Sequence, residues 1–381
     1  MSLSELGEEL FHDTVLSQNQ TQACATCHDP EGGYADGRTD AAGRVRPVSL
    51  GDDGVSFGGR NAPSAAYALF SPPFSKGQRQ RFNKQNSNRL YQGYLGGLFW
   101  DGRAPTLADQ AGGPPLNPIE MGMTDEFALM DRLEAHPRYG RAFRELFGSE
   151  IFDDPLGAYA SMTGAIAAYE SDEATFAPFD SKYDRSLRNE EQLSFKELTG
   201  KSVFFSEFAN CGICHQLHAV GDPVNKIREP FTGFEFHNVG TPANPATRRL
   251  SQVGAPDIGL AANPAVPEAD RADARGKFKV PTLRNVAVTG PYMHNGVFVR
   301  LSTVVEFYAQ FTDPQNRRLN PETGERWAPP EVPETVARDL LRVGDRLTDL
   351  QIESLVCFLR ALTDARFEDR IPDEPGIDCA D

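Results

Sequence analysis

The sequence holds little of several things, and each scarcity narrows what the chain can be. No apolar run approaches the ~18–20 residues that a helical membrane span requires, so no spanning helix is expected. Positive charge is in deficit: 38 Lys and Arg against 54 Asp and Glu leave a net charge of −16. That balance argues against nucleic acid or an anionic membrane surface as partner, and suits solubility or a basic protein partner. Strand signals are sparse, whereas 28 prolines and 34 glycines gather mainly between helical stretches. Histidine and methionine are rare too, at 7 and 6 residues, and neither occurs between Asp29 and Glu120. What remains is an ordinary composition, 39% hydrophobic and 24% charged over 381 residues. At the usual ~100–200 residues per domain, that length suits two to three domains with real cores.

Cysteine is scarce and concentrated. Four of the six cysteines fall in Cys24-Ala25-Thr26-Cys27-His28 and Cys211-Gly212-Ile213-Cys214-His215. Each is Cys-x-x-Cys-His, in which two thiols add across the vinyl groups of a haem and the adjoining histidine binds the iron from one side. Two copies, one in each half, point to two covalent c-type haems. Cys357 and Cys379 remain. They form either a disulfide pinning the C-terminal tail or two free thiols, since connectivity cannot be read from spacing.

The two halves repeat one order of elements. Residues 7–11 (Gly-Glu-Glu-Leu-Phe) precede the first haem motif and residues 200–204 (Gly-Lys-Ser-Val-Phe) precede the second, each with helical apolar spacing. Arg60-Asn61-Ala62-Pro63-Ser64 follows the first motif, and Lys279-Val280-Pro281-Thr282-Leu283-Arg284-Asn285 follows the second. Amphipathic helices close the halves at 162–169 and 348–362, the latter carrying Leu350, Ile352, Leu355, Val356, Phe358 and Leu359 on a broad apolar face. Helix, haem motif, loop and closing helix is the order of a cytochrome c fold. The expectation is a mainly α protein of two cytochrome c-like domains with long loops, at 29–60 and 219–276. Residues 1–185 hold one covalent haem and residues 186–381 the other, the division falling in the charged stretch 180–191.

The haems are not expected to be alike. His28 is the proximal ligand of the first, and a simple electron carrier needs a second strong ligand within its own domain. The candidates after the gap are Met121, Met123 and His136. The preferred reading leaves one face of this iron open to peroxide. The second haem has His215 on one side, with Met293, His294 and Tyr308 as possible distal ligands; general ligand statistics favour Met293 or His294. His218 is too close to His215 to reach the opposite face, while His12 and His237 stand outside any motif and are expected to be structural.

As a set these residues resemble the MauG-like branch of the bacterial dihaem cytochrome c peroxidase superfamily. The resemblance runs over nearly the whole chain. Besides both haem motifs it rests on Phe99-Trp100-Asp101-Gly102-Arg103-Ala104, Asn117-Pro118-Ile119-Glu120-Met121-Gly122, Pro291-Tyr292-Met293-His294-Asn295-Gly296 and Val305-Glu306-Phe307-Tyr308. It implies Tyr308, rather than a methionine, as distal ligand of the second haem, where an anionic oxygen stabilises oxidised iron. It implies that Trp100 lies between the haems and shares electrons between them. Gln110, Pro114 and Glu120 would line the open face of the first haem, with Glu120 moving the proton during O–O cleavage. Asn61, Thr289 and Pro291 match a calcium position whose shell is all oxygen. Two features depart from the pattern: Ala309-Gln310-Phe311-Thr312 follows Tyr308, and the polar, basic stretch 70–97 is long. Both bear on the partner surface and not on the haem-binding residues.

The implied function is a hydrogen-peroxide-dependent dihaem oxidoreductase. Two oxidising equivalents would be shared as a high-valent state of both haems and spent on Trp or Tyr side chains of a partner protein at long range. The alternative is a cytochrome c peroxidase that reduces peroxide with electrons from a small cytochrome or cupredoxin. A third reading, a dihaem electron carrier, requires a sixth ligand at both irons. Because haem c is attached outside the bacterial cytoplasm, a periplasmic location is expected. Met1-Ser2-Leu3-Ser4 leads straight into a helix-like stretch, so the expectation is a mature chain whose leader has been removed or replaced.

Overall fold

The computed structural model describes residues 1–81 and 90–380. The helices that build its cores and its site are α1 (Leu3–His12), α2 (Leu107–Ala111), α3 (Glu126–Ala135), α4 (Pro137–Phe147), α5 (Pro155–Glu170), α6 (Phe195–Phe204), α7 (Leu301–Ala309) and α8 (Asp349–Arg360). Two further helices, Pro245–Ser251 and Glu268–Ala274, interrupt the stretch 219–276 expected as loop. Among the described residues the sheet content is two small antiparallel pairs. Strands β1 (Ser75–Gln80) and β2 (Leu90–Leu95) pair with Ser75 opposite Leu95, and β3 (Phe236–His237) pairs with β4 (Phe278–Lys279). The first pair lies in the polar stretch noted above, of which residues 82–89 fall outside the described residues.

Local chemistry sets the helix starts. Ser2 with Glu5, Ser194 with Glu197 and Thr348 with Gln351 form capping boxes on α1, α6 and α8. In each, the side chains satisfy backbone N–H groups that the first helical turn leaves unpaired. Asp154 caps α5, with Pro155 at its first position.

The repeated glycines have a steric reason. A Cβ on Gly7 of α1 would sit 1.9 Å from the Ala165 carbonyl oxygen of α5, and one on Gly200 of α6 would sit 1.8 Å from that of Ser354 in α8. Each helix pair crosses so closely that only a residue without a side chain fits. Aromatic rings pack beside both crossings: Phe11 meets Tyr169 edge-on at 5.4 Å, and Phe204 meets Phe358 edge-on at 5.4 Å. The two crossings anchor separate apolar clusters. One gathers Leu6, Leu10, Phe11, Leu129, Phe143, Met162, Ile166 and Phe176; the other gathers Phe204, Phe231, Phe298, Leu301, Phe307, Leu355 and Phe358. The tail returns to the first cluster through Phe367.

The halves are tied by buried polar links. Asp364 accepts from the Tyr67 hydroxyl at 2.5 Å and from the Asn285 side-chain amide at 2.8 Å. Arg284, fully buried, forms a two-pronged pair with Asp184 at 2.5 and 2.9 Å. Its guanidinium lies over the rings of Tyr67, Phe179, Tyr183 and Phe231. Cys357 and Cys379, left open by sequence, form a disulfide that fastens the tail to α8.

Candidate functional site: two Cys-x-x-Cys-His motifs and a cavity beside the first

The two Cys-x-x-Cys-His motifs fold alike. The Nδ1 of His28 lies 3.2 Å from the Tyr34 carbonyl oxygen, and the Nδ1 of His215 lies 3.2 Å from that of Phe231. In each ring Nδ1–H donates and Nε2 is left to bind iron, an arrangement that fixes the tautomer of a metal-binding histidine. Tyr34 and Phe231 both take positive φ, 57° and 53°, which turns their carbonyls toward the imidazoles. The strand after each motif supports this turn. Ser64 Oγ donates to Gly33 O and Thr282 Oγ1 to Pro230 O, each at 2.6 Å.

Burial keeps both imidazoles neutral, as iron binding requires: it lowers the pKa of His28 and takes that of His215 down to about 4. Burial likewise raises Cys27 to about 11 and Cys211 to about 12, so the thiols are held uncharged in apolar surroundings. Paired thiols, an oriented imidazole and an apolar setting fit a covalent haem at each motif.

A cavity of about 630 Å³ opens beside the first motif. Cys24, Cys27 and His28 line it, and so do Gln110, Pro114 and Glu120. Helix α2 carries Gln110 and packs on α5, with Gly112 just beyond its end under Tyr159 and Thr163. Burial raises the Glu120 pKa above the usual carboxylate value, while Arg103 and Asn117 pull it down. A carboxyl raised in this way holds a proton more readily than an exposed one, which suits a group that takes and returns a proton. Met121 reaches the same wall; Met123 is buried in the first apolar cluster, and His136 caps the start of α4.

Trp100 sits where the halves meet. Its Nε1–H donates to the Asn61 carbonyl at 2.8 Å, and its own carbonyl accepts from Lys279 N at 2.8 Å. The neighbouring Asp101 is buried and pairs with Arg60 at 2.7 Å and Arg103 at 3.0 Å. Asn61, Thr289 and Pro291 all line the cavity, bringing together residues far apart in sequence. They offer neutral oxygen atoms, the donor type calcium takes.

At the second motif the candidates separate. Tyr308 of α7 is 37% exposed as a residue, and burial of its phenol oxygen near Cys211 and Cys214 holds the phenol protonated. Met293 lines the cavity beside the first motif. His294 is buried and stacks on Phe278 at 3.6 Å. Behind Tyr308, Phe307 lies at 5.7 Å and in turn meets Trp327 at 5.5 Å. The Trp327 Nε1–H donates to Arg317 O, so this tryptophan packs the loop onto the second cluster.

Three placements carried no sequence signal. His237 lies in a buried trio with Cys214 and Glu235, their ligand-type atoms within 4.8 Å of one another. Burial works against its charge, and the Glu235 carboxylate, 2.8 Å from its Nε2, favours it. Since Cys214 belongs to the haem motif, the trio is part of that site and not a separate metal centre. Lys279 lines the cavity with its ammonium held by Ser71 Oγ and the Gly97 carbonyl, and burial lowers its pKa to about 7. Glu170, in an otherwise apolar helix, lines the cavity as well.

A family model described as di-haem cytochrome c peroxidase matches residues 2–192. The methylamine utilization protein MauG of Paracoccus denitrificans is 44% identical over 368 residues, 96% of this chain and 90% of that protein. This chain belongs to the di-haem cytochrome c peroxidase family. The cytochrome c peroxidase Ccp of Escherichia coli is 31% identical over 311 residues, 80% of this chain and 52% of that protein. Among solved structures, the dihaem peroxidase BthA of Burkholderia thailandensis superposes with a TM-score of 0.80 at 31% identity, covering 100% of this chain and 90% of its own. A MauG-like protein associated with microbial copper homeostasis superposes with a TM-score of 0.66 at 29% identity, covering 97% and 93%. The protein is therefore an oxidoreductase of the dihaem peroxidase type, and the family implies two c-type haems.

Proposed function

We propose that the protein is a MauG-like enzyme that reacts with hydrogen peroxide at the first-motif cavity and oxidises Trp or Tyr side chains of a partner protein at a distance. One observation carries this reading: a single cavity gathers the first haem motif, the carboxyl of Glu120 with the amide of Gln110, and Trp100 at the junction of the halves. When bound, the two haems supply a pair of redox-active irons able to hold the two oxidising equivalents of one peroxide. Glu120 takes the proton from the inner oxygen of peroxide and gives it to the outer one, so that the leaving fragment departs as water. Gln110 and Pro114 shape that wall and limit what enters. Trp100, with its N–H fixed on the Asn61 carbonyl, serves as the one-electron bridge between the halves. Tyr308 closes the second site with an oxygen ligand. Its phenol, protonated in the protein alone, gives up that proton on coordination. Asn61, Thr289 and Pro291 hold a calcium ion through oxygen atoms and stiffen the junction. The chain divides functionally into residues 1–185 and 186–381, and the enzyme works in the periplasm.

The 44% identity to MauG over most of both chains supports the partner-oxidising reading. The similarity to Ccp supports the alternative, peroxide reduction with electrons from a small redox protein. Substituting Tyr308→Met separates them. On the MauG-like reading it raises the potential of the second haem and abolishes the long-lived two-electron-oxidised form of the protein, followed by absorbance after one equivalent of peroxide. Persistence of that form removes Tyr308 from its role. Steady peroxide consumption with reduced cytochrome c, faster than with a co-encoded protein, supports the alternative.

A further inference from the structure

Glu170 is the last residue of α5. It is 6% exposed, lines the first-motif cavity, and has an Oε2 with no hydrogen-bond partner in the protein. The duplicated half shows what this position holds elsewhere. Gly7 abuts Ala165 O and Tyr169 Cβ; Gly200 abuts Ser354 O and Phe358 Cβ. That register pairs Glu170 with Leu359, an apolar residue of α8. Burying an unpartnered carboxyl is costly where a leucine is favourable, so its presence calls for an explanation outside stability.

Its placement supplies one. Residues 171–174 directly after Glu170 are exposed, so the end of α5 that carries this carboxyl reaches the protein surface. Burial alone raises its pKa to about 8, leaving it a neutral acid at pH 7. The charged residues on the elements packed against α5 are Glu5, Glu8, Glu9 and His12 on α1, Asp109 on α2, Glu126, Asp131, Arg132 and Glu134 on α3, and Asp153 and Glu173 on two short helices; none contributes to that shift, whose one cause is burial. Cys24 of the haem motif is the titratable group that feels its charge.

Reducing one hydrogen peroxide to two waters breaks the O–O bond and takes up two electrons and two protons. The electrons come through the haem pair from the donor. Glu120 only relocates a proton that peroxide already carries, so the two consumed protons must enter from outside. We propose that Glu170 is the proton inlet of the first cavity. Its O–H releases a proton to the oxygen being converted to water, and the carboxylate left behind is reprotonated from solvent at the end of α5. This rests on the reading of that cavity as the place where peroxide reacts.

The test compares the haem-loaded protein with its Glu170→Gln and Glu170→Leu variants, and with Glu120→Gln. Stopped-flow spectra in H₂O and D₂O report formation of the oxidised protein by peroxide and then its return when reduced cytochrome c supplies electrons, and thermal unfolding is followed across pH. Both Glu170 variants should load two haems, form the oxidised protein at the wild-type rate and return from it at least about tenfold more slowly, with a changed solvent isotope effect on that return. Glu170→Leu should also melt at higher temperature. A raised carboxyl pKa makes the folded state hold a proton that the unfolded state releases, so wild-type stability falls from about pH 4.5 to about pH 8. The gain in melting temperature should therefore be largest above that window and smallest below it. Wild-type rates and isotope effect in both Glu170 variants, with Glu120→Gln slowed, overturn the inlet and leave the cavity reading standing. Unchanged rates in all three variants overturn both. If the leucine variant fails to fold, the near-isosteric glutamine variant decides alone.

Discussion

The first and second haem-binding halves share a scaffold and differ in what faces the haem. Both cross two helices over a glycine, and both anchor the proximal imidazole on a carbonyl of a residue with positive φ. Beyond that frame they diverge. The first half lines its cavity with an amide, Gln110, and two carboxyls, Glu120 and Glu170. The second places Leu359 where the first has Glu170, and sets Tyr308 beside its haem cysteines. One scaffold thus supports two jobs because the packing that fixes the proximal histidine is separate from the side chains facing the opposite side.

The sharpest way to break the comparison is to remove one attachment at a time. Cys24→Ser with Cys27→Ser, or Cys211→Ser with Cys214→Ser, should each leave one covalent haem, counted by intact mass. Only the first pair should abolish the reaction with peroxide, and loss of that reaction in the second pair alone would reverse the assignment. Next in size, Glu120→Gln should slow formation of the oxidised protein by roughly 10²-fold or more, as loss of a general acid–base group does. Because burial raises the Glu120 pKa, the wild-type rate should rise with pH through a value above the usual 4.5, and this limb should vanish in the variant.

Smaller effects probe the shared frame. Asp184→Ala strands Arg284 as a buried unpaired cation and should cost about 3–5 kcal/mol in denaturant titration. Removing the disulfide with Cys357→Ala and Cys379→Ala should cost about 2–4 kcal/mol and free the tail to proteolysis. Gly7→Ala and Gly200→Ala should each destabilise by about 1–3 kcal/mol, since both force their helices apart by the same geometry. A large difference between these two variants would show that the halves do not share one frame.

The legible part of this protein was its repeated grammar. Two Cys-x-x-Cys-His motifs, the glycines at 7 and 200, and the apolar spacing of the closing helices carried the helix order, because each follows from a local rule. Helix α5 extends to Glu170, one residue past the apolar run at 162–169, and α8 spans Asp349–Arg360 within the expected 348–362. The hairpin of β1 and β2 was not legible: Ser75–Gln80 is polar throughout and shows no alternation. Nor was the junction at Asp364, whose partners Tyr67 and Asn285 lie hundreds or tens of residues away. Glu170 escaped notice because its meaning comes from burial without a partner, which no spacing encodes. His237 escaped for the same reason, since its tie to Cys214 is made only by folding.

Electron paramagnetic resonance of the fully oxidised protein tests the asymmetry most directly. One high-spin signal from an iron held by His28 alone, beside one low-spin signal from an iron held between His215 and Tyr308, is the predicted spectrum. Two low-spin signals, marking a sixth protein ligand such as Met121 at the first haem, would contradict it.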